Sequence, residues 1–456
     1  MRIHHPSKKH ERGVTILIVA ISLLVLVTMA ALAIDIASLY EAHAEAQRAA
    51  DAAALAGARM FGTSSYTSTT SLAFSDVCST GGPGSTAAVN KQAEAAAKVN
   101  SIAGQPAVIN GIQCDNTNVR NPRVTVTVER VSSPTFFSKI WAIWGSTNVG
   151  TVKATATAEA YNASGQSSPI ALTNVKPWLL PNCDPGGPFG PTACPEYFIN
   201  TADGSIRNGG AFIGKILHLT RQPTGDVGGN GSGSGFTGNS IKGVLSFYGL
   251  DYLEGPAPAC PSTGSVSCGD VNGGDTYIDN IACTSSLRFY CGQHIGPGTH
   301  PEILVHVESQ PISGQPTTDG TQCLIHASGT GANQGQDEFS AGVPPVTITG
   351  GSNNPNLSLQ VPNISRSDSV VTVMLYKGDN LCTDSSHNGS CVSGTPATVI
   401  GFLQLGVQET NSGGSVDAVV LNAVGCSPDA VAAYQPTNPV FAGGSSPIPV
   451  RLVQAP

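Results

Sequence analysis

The chain has 456 residues, enough for two or three domains with sizeable cores. Charged residues make up only 11%, against the roughly 25% of ordinary soluble domains, while 53 Gly and 31 Pro imply many turns. This composition excludes a highly charged disordered protein. The net charge of −8 is diffuse, and no basic run follows the N-terminus, so nucleic acid is not an expected partner.

Residues 1–12 form a basic tail, with Arg2, Lys8, Lys9 and Arg12 against Glu11. Residues 13–34, from Gly13 to Ile34, carry no charge. As a helix they span about 33 Å, enough for a membrane's hydrocarbon core. The following flank carries Asp35, Glu41, Glu45 and Asp51 against Arg48 and Arg59. The positive-inside rule therefore places the N-terminus in the cytoplasm and exports everything after Asp35. A cleaved signal is the alternative, because Ala31-Leu32-Ala33 fits a small-x-small cleavage site. The apolar run exceeds a usual signal core, which favours a retained anchor. Prepilin-type processing after Gly13 is disfavoured by Ile18, where a Glu is commonly wanted.

Residues 35–61 read as an Ala-rich helix continuing the span. Alanine is the best helix former, and no Pro interrupts the run. Gly57, and later Gly62 with Thr63 and Ser64, supply the expected stop signals. A helix from Gly13 to Ala58 would measure about 70 Å. Its small side chains would admit another helix or the protein's own domain at close range. Asp35 reads as a polar stop at the membrane surface or a contact to a partner membrane protein.

Arg12-Gly13, the apolar span, Ala33-Ile34-Asp35, Leu39-Tyr40 and the run Gln47-Arg48-Ala49-Ala50-Asp51-Ala52-Ala53-Ala54-Leu55-Ala56-Gly57-Ala58 form a connected signature. It closely resembles the N-terminal signature of TadG-like Flp (tight-adherence) pilus-assembly proteins, over about 50 residues. The resemblance implies a bacterial inner-membrane component whose partners are the membrane and other pilus-assembly proteins. The positions carrying it are Arg12, Gly13, Asp35, Tyr40, Gln47, Ala50, Asp51, Leu55 and Gly57.

Residues 62–165 read as a small α+β domain. Residues 62–80 are Ser/Thr-rich and suggest a surface loop. Residues 86–100 suggest a helix capped by Thr86, with Glu94 and Lys98 paired at i,i+4. Val124–Val128 and Val152–Ala160 alternate as strands. Between them, Phe136, Phe137, Trp141 and Trp144 suit either a packed helix or a membrane-surface element. A linker composition marks a boundary near 161–175.

Residues 170–456 read as an exported, mainly β, sandwich-like domain rich in Gly and Pro. Strand candidates are Ile303–Val307, Val346–Thr349, Leu357–Val361, Val370–Tyr376, Val399–Val407 and Val416–Asn422. Tyr277-x-Asp279-Asn280-Ile281, Gly296-Pro297-Gly298 and Val399–Leu403 loosely resemble the C-terminal halves of some TadG-related proteins. Other relatives end in a von Willebrand A-type domain. Its Asp-x-Ser-x-Ser loop is not matched here, because Asp203-Gly204-Ser205 runs on to Arg207.

Twelve cysteines without a C-x-x-C spacing suit disulfides in an oxidising compartment. Close-neighbour pairing gives Cys78–Cys114, Cys183–Cys194, Cys260–Cys268, Cys283–Cys291 and Cys382–Cys391, leaving Cys323–Cys426. His300, Glu302, His306 and Glu308 share one face of an extended run, but their spacing spreads over ~20 Å, too far for one zinc. Asp270, Asn272, Asp275 and Asp279 lack the bidentate Glu of a calcium loop. The glycines of 225–235 lack a phosphate-binding context, and no H-E-x-x-H or G-x-S-x-G occurs. No catalytic residue, metal, cofactor or small-molecule substrate is expected. The sequence therefore reads as a non-enzymatic, single-pass inner-membrane component of pilus assembly or secretion. The alternatives are an exported adhesin or carbohydrate-binding protein with a cleaved signal, or a periplasmic hydrolase without a recognisable motif.

Overall fold

The structure is a computed structural model. It describes residues 11–119, 121–131, 151–160, 170–185, 197–221, 244–252, 276–295, 303–305, 315–342, 344–377, 397–428, 440–441, 446 and 448–453. The aromatic segment 136–144, the Gly-rich tract 225–235, the His300–Glu308 ligand set, Asp270, Asn272, Asp275 and the Gly296 turn lie outside these residues.

One helix, α1, runs unbroken from Glu11 to Thr63, 53 residues or about 80 Å. It passes through Gly57 and ends at Thr63, so the stop falls at the expected Gly62–Ser64 signal and not at Gly57. Flanking alanines hold the backbone helical, and packing on one side outweighs the intrinsic cost of glycine. Beyond the membrane-length stretch, α1 lies on α2 (Ala88–Val99) and on an antiparallel sheet. That sheet contains β1 (Val108–Asp115), β2 (Arg123–Arg130) and β3 (Val152–Ala160). Val124, Val126 and Val128 alternate inward beneath the helix, as period-2 patterning requires. α2 is not capped by Thr86. Its N-cap is Ala87, whose N–H is held by Ser85 Oγ. Glu94 accepts from the Gly84 N–H at 2.6 Å instead of pairing with Lys98, because the turn amide lies within its reach.

The mainly β remainder closes on itself. Six strands of its eight-stranded sheet are β4 (Val175–Pro181), β5 (Ile216–Arg221), β6 (Val244–Tyr252), β7 (Val370–Tyr376), β8 (Ala397–Asn411) and β9 (Ser415–Gly425), with the short His294–Ile295 and Ile303–Val305 added on β8 and β6. They pair in the order β8-β7-β4-β6-β5-β9, and β9 returns to β8, forming a six-stranded ring. β4/β7 and β5/β6 are parallel, and the other pairs antiparallel. The layers facing each other are thus joined at both sides, which removes the open edges of a sandwich. Trp178, Leu219, Phe247, Val373, Leu403 and Val420 point inward and fill the ring with two short helices, α3 (Thr276–Ala282) and α4 (Gln315–Leu324). Gly249 admits the α3 residue Tyr277. A Cβ there would meet the phenol ring at 3.0 Å, tighter than ordinary contact. Leu357–Leu359 forms a 3-10 turn rather than a strand, because Asn356 accepts the Ser358 N–H and starts a turn.

The alternate residues face outward. Leu179, Tyr248, Met374, Tyr376 and Phe402 join the same hydrophobic cluster as the alanines of α1. The N-terminal layer and the barrel therefore share a core. The last described strand, β10 (Val450–Val453), pairs antiparallel with β3. The end of the chain thus completes the first sheet, in the order β10-β3-β2-β1. A purely sequential division near 161–175 does not contain this return.

Cys78 and Cys114 are joined, as are Cys291 and Cys426. The second bond corrects the expected Cys283–Cys291 and Cys323–Cys426 pairs. Strand pairing outranks sequence proximity here. The Gly292 N–H donates to Val399 O and the Cys426 N–H to Ile400 O, so β8 aligns both cysteines. Cys183, Cys283 and Cys323 are also disulfide-bonded. The expected Cys183–Cys194, Cys260–Cys268 and Cys382–Cys391 pairs involve cysteines outside the described residues.

Candidate functional site: the anchor helix and its seat

From Val14 to Ala30 every side chain of α1 is exposed. Exposing so many Leu, Ile and Val side chains to water would be costly, at roughly 25 cal/mol per Å² of apolar surface. The segment is long and apolar enough to cross a membrane. Arg12 and Gly13 lie in the first turns of this helix.

The contacts change one residue at a time. Ala31, Asp35, Ala42, Ala46, Ala49, Ala50, Ala53, Ala54 and Ala58 are buried. Their spacing is that of one helix face. The family-like alanine run is therefore consumed by packing on the protein's own α2, β2 and β3. Gly57 marks the closest approach. A Cβ there would meet Val89 Cγ1 at 3.3 Å and Ala93 Cβ at 3.4 Å. Leu55 packs at the margin of the same core.

Polar members of the signature also act within the chain. Gln47 Nε2 donates to Asp51 Oδ1 at 2.8 Å, one helical turn away, and reaches Thr155 O at 3.4 Å. Asp35, at 4% exposure, lies on the packed stripe rather than on the lipid-facing side. Tyr40 is the exception. It is 74% exposed, just beyond the membrane-length stretch.

The far end of α1 is locked into the barrel by residues with no local sequence signal. Asn422 of β9 is buried, and its Nδ2 donates to Gly62 O at 2.6 Å and to Gln404 Oε1 at 2.8 Å. Its Oδ1 accepts from Ser68 Oγ at 3.0 Å. Ser68 Oγ also lies 3.1 Å from Ala423 O, and Ser65 Oγ donates to Leu421 O. The first part of the Ser/Thr-rich segment after α1, 64–69, is thus buried rather than a surface loop, while 70–76 is exposed or half-buried as expected. Its hydroxyls replace water for β9 carbonyls that would otherwise be orphaned.

A second polar junction holds the chain's end. Glu159 on β3, 1% exposed, receives Arg123 Nε at 2.9 Å and Arg451 Nε at 2.7 Å. Its three strands are adjacent, so one carboxylate ties β2, β3 and β10 together. Inside the barrel end, Lys176 Nζ donates to Cys283 O at 2.7 Å and Asn174 Oδ1 at 3.3 Å. Burial pushes this amine down to about 7, against the opposing charge of Asp368. The His326 hydrogen bond to Asp368, 3.1 Å long, holds that carboxyl below its ordinary value.

Among the described residues one apolar helix is long enough to cross a membrane, and it continues without a break into a helix seated on a β-rich body, an arrangement that suits a membrane-anchored protein. Residues 13–60 match the family described as "Putative Flp pilus-assembly TadE/G-like". The likeness is confined to this N-terminal region, which is TadE/G-like. No curated protein and no solved structure matches the chain.

Proposed function

We propose that the protein is a non-enzymatic component of Flp pilus assembly or secretion. In this reading it is held in the bacterial cytoplasmic membrane by α1, with the N-terminus inside and the β-rich body outside. The observation that carries this reading is the continuity of α1. The exposed apolar span and the buried alanine face belong to one 53-residue helix within which the TadE/G-like match falls. Because the alanine face is already occupied, the surfaces of α1 left for other assembly proteins are the span itself and the exposed side around Tyr40, alongside the surface of the exported body.

Fractionation with N-terminal sequencing tests the anchor. The expected result is an uncleaved chain in the carbonate-resistant membrane fraction, with its C-terminal region digested by protease added to spheroplasts. A mature chain beginning near Ile34 and recovered in the medium would refute the anchor and support an exported adhesin. A photo-crosslinking residue at Tyr40 tests the partner assignment. Crosslinks to other pilus-assembly proteins are expected, and their absence in assembling cells would refute it.

A further inference from the structure

Where α1 ends against the barrel there is a cleft of about 130 Å³. Its lining includes the apolar side chains Val346, Ile348, Leu421 and Ile448. Two arginines, Arg59 from α1 and Arg366 from the segment before β7, line it with the half-buried Gln404. No acidic side chain lines it among the described residues. That is unusual in a chain of net charge −8.

Helix capping does not account for Arg59. A cation near a helix C-terminus often serves the last carbonyls. Here those carbonyls are already taken. Met60 O accepts the Ser64 N–H, and Gly62 O accepts both the Ser65 N–H and Asn422 Nδ2. Arg59 O itself accepts Thr63 Oγ1 at 3.2 Å. The guanidinium of Arg59 has no ion-pair partner among the described residues. The Gln404 acceptor oxygen is likewise occupied, by Asn422 Nδ2 at 2.8 Å, which leaves its amide as a donor. The cleft thus combines the unpaired guanidinium of Arg59, the guanidinium of Arg366, whose charge also acts on the neighbouring Asp368, a spare amide donor and apolar side chains. Guanidinium groups match carboxylates and phosphates in geometry.

We infer that this cleft binds a small soluble oxyanion, a carboxylate or phosphate carrying one compact apolar group. The volume approaches the ~150 Å³ of cavities that accept benzene. The membrane is an unsuitable source for such a group. Arg59 lies 24 residues along α1 from Asp35, about 36 Å at the helical rise. A lipid headgroup at the membrane surface would not reach it.

The test uses the full chain in phosphatidylcholine nanodiscs, titrated calorimetrically with phenyl phosphate. Inorganic phosphate, phenol and benzylammonium serve as comparison probes. Phenyl phosphate is expected to bind at least ~10-fold more tightly than each of these. The pair Arg59→Gln and Arg366→Gln should weaken it by ~10-fold or more, while Arg207→Gln, an exposed arginine outside the cleft, should not. If the double variant misfolds, Arg366→Gln alone provides the comparison, with a loss of ~3-fold or more expected. The proposal is overturned by no phenyl phosphate binding at ~1 mM, by equal affinity in the arginine variants, or by equal binding of benzylammonium. Phosphatidylglycerol nanodiscs distinguish the source. If they suppress phenyl phosphate binding at matched ionic strength, lipid reaches the cleft and the soluble-ligand assignment fails.

Discussion

Glu159→Gln tests whether one buried carboxylate holds the end of the chain in the first sheet. The substitution keeps the size of the side chain but removes the charge that both arginines share. Hydrogen bonds to charged groups contribute about 1.5–3 kcal/mol each when lost from buried positions. Both guanidinium groups remain about half exposed, at 44% and 53% of their side-chain area, so water recovers much of that loss. A net cost of about 2–3 kcal/mol remains. It falls on β10, a four-residue strand, so local opening of Val450–Val453 should rise by roughly 30–150-fold. Amide hydrogen exchange, read by mass spectrometry on the peptide containing 450–453, measures this directly. Glu129→Gln on β2 is the comparison. Its partner Lys153, at 3.0 Å, is exposed, and such surface pairs contribute about 0–1 kcal/mol. Exchange at β10 should barely change in that variant. Unchanged exchange at 450–453 in Glu159→Gln, or an equal rise across the whole chain, would refute the staple.

Three further outcomes follow from the packing. Asn422→Leu should lower stability by about 1–3 kcal/mol, because it removes the buried hydrogen bonds to Gly62 O, Gln404 Oε1 and Ser68 Oγ, while Gly62 O and Ser68 Oγ keep their bonds to Ser65 N–H and Ala423. A thermal midpoint equal to wild type would show that the junction contributes nothing. Gly57→Ala should stay within about 1 kcal/mol of wild type, since the helix-propensity gain opposes contacts at 3.3–3.4 Å. Gly57→Leu should cost about 1–3 kcal/mol by overpacking, measured by chemical denaturation in detergent. A stabilised Leu variant would contradict the close approach of α2. Lys176 sets a pH dependence. Its folded value near 7 lies below the ordinary 10.5, so between those values the unfolded chain binds more protons. Stability therefore rises with pH from about 7 to about 10.5, and below pH 7 the penalty levels off at about 5 kcal/mol. Lys176→Met should abolish that slope. Urea titrations between pH 6.5 and 10 that show the same slope in both proteins would rule it out.

What could be read along the chain was local. The apolar span and the alanine face of α1 follow from hydropathy and a 3.6-residue period, and both act within a few turns. The strands β2, β3, β7 and β9 announce themselves by alternation or by runs of β-branched residues. Weaker patterns were missed. α4 carries Gly320 inside Gln315–Leu324, and β4 is buried throughout, with Lys176 and Pro177 in its run. A buried strand that includes a lysine breaks the usual signal.

The sequence by itself determined that this protein has one membrane-length helix, that the helix extends far beyond the span, and that most of the rest is β structure. Only the tertiary structure decided what that extension is for. The alanines, which could have served a partner helix, are spent on the protein's own sheet. Asn422 reaches Gly62 across 360 positions, and Arg451 reaches Glu159 across 292. The barrel depends on the distant pairs β4 with β7 and β5 with β9, and the Cys291–Cys426 bond on β8 holding the two cysteine segments side by side. Periodicity and propensity act over a few residues. These junctions depend on which buried polar group finds which partner once the chain has closed, and no local pattern encodes that choice.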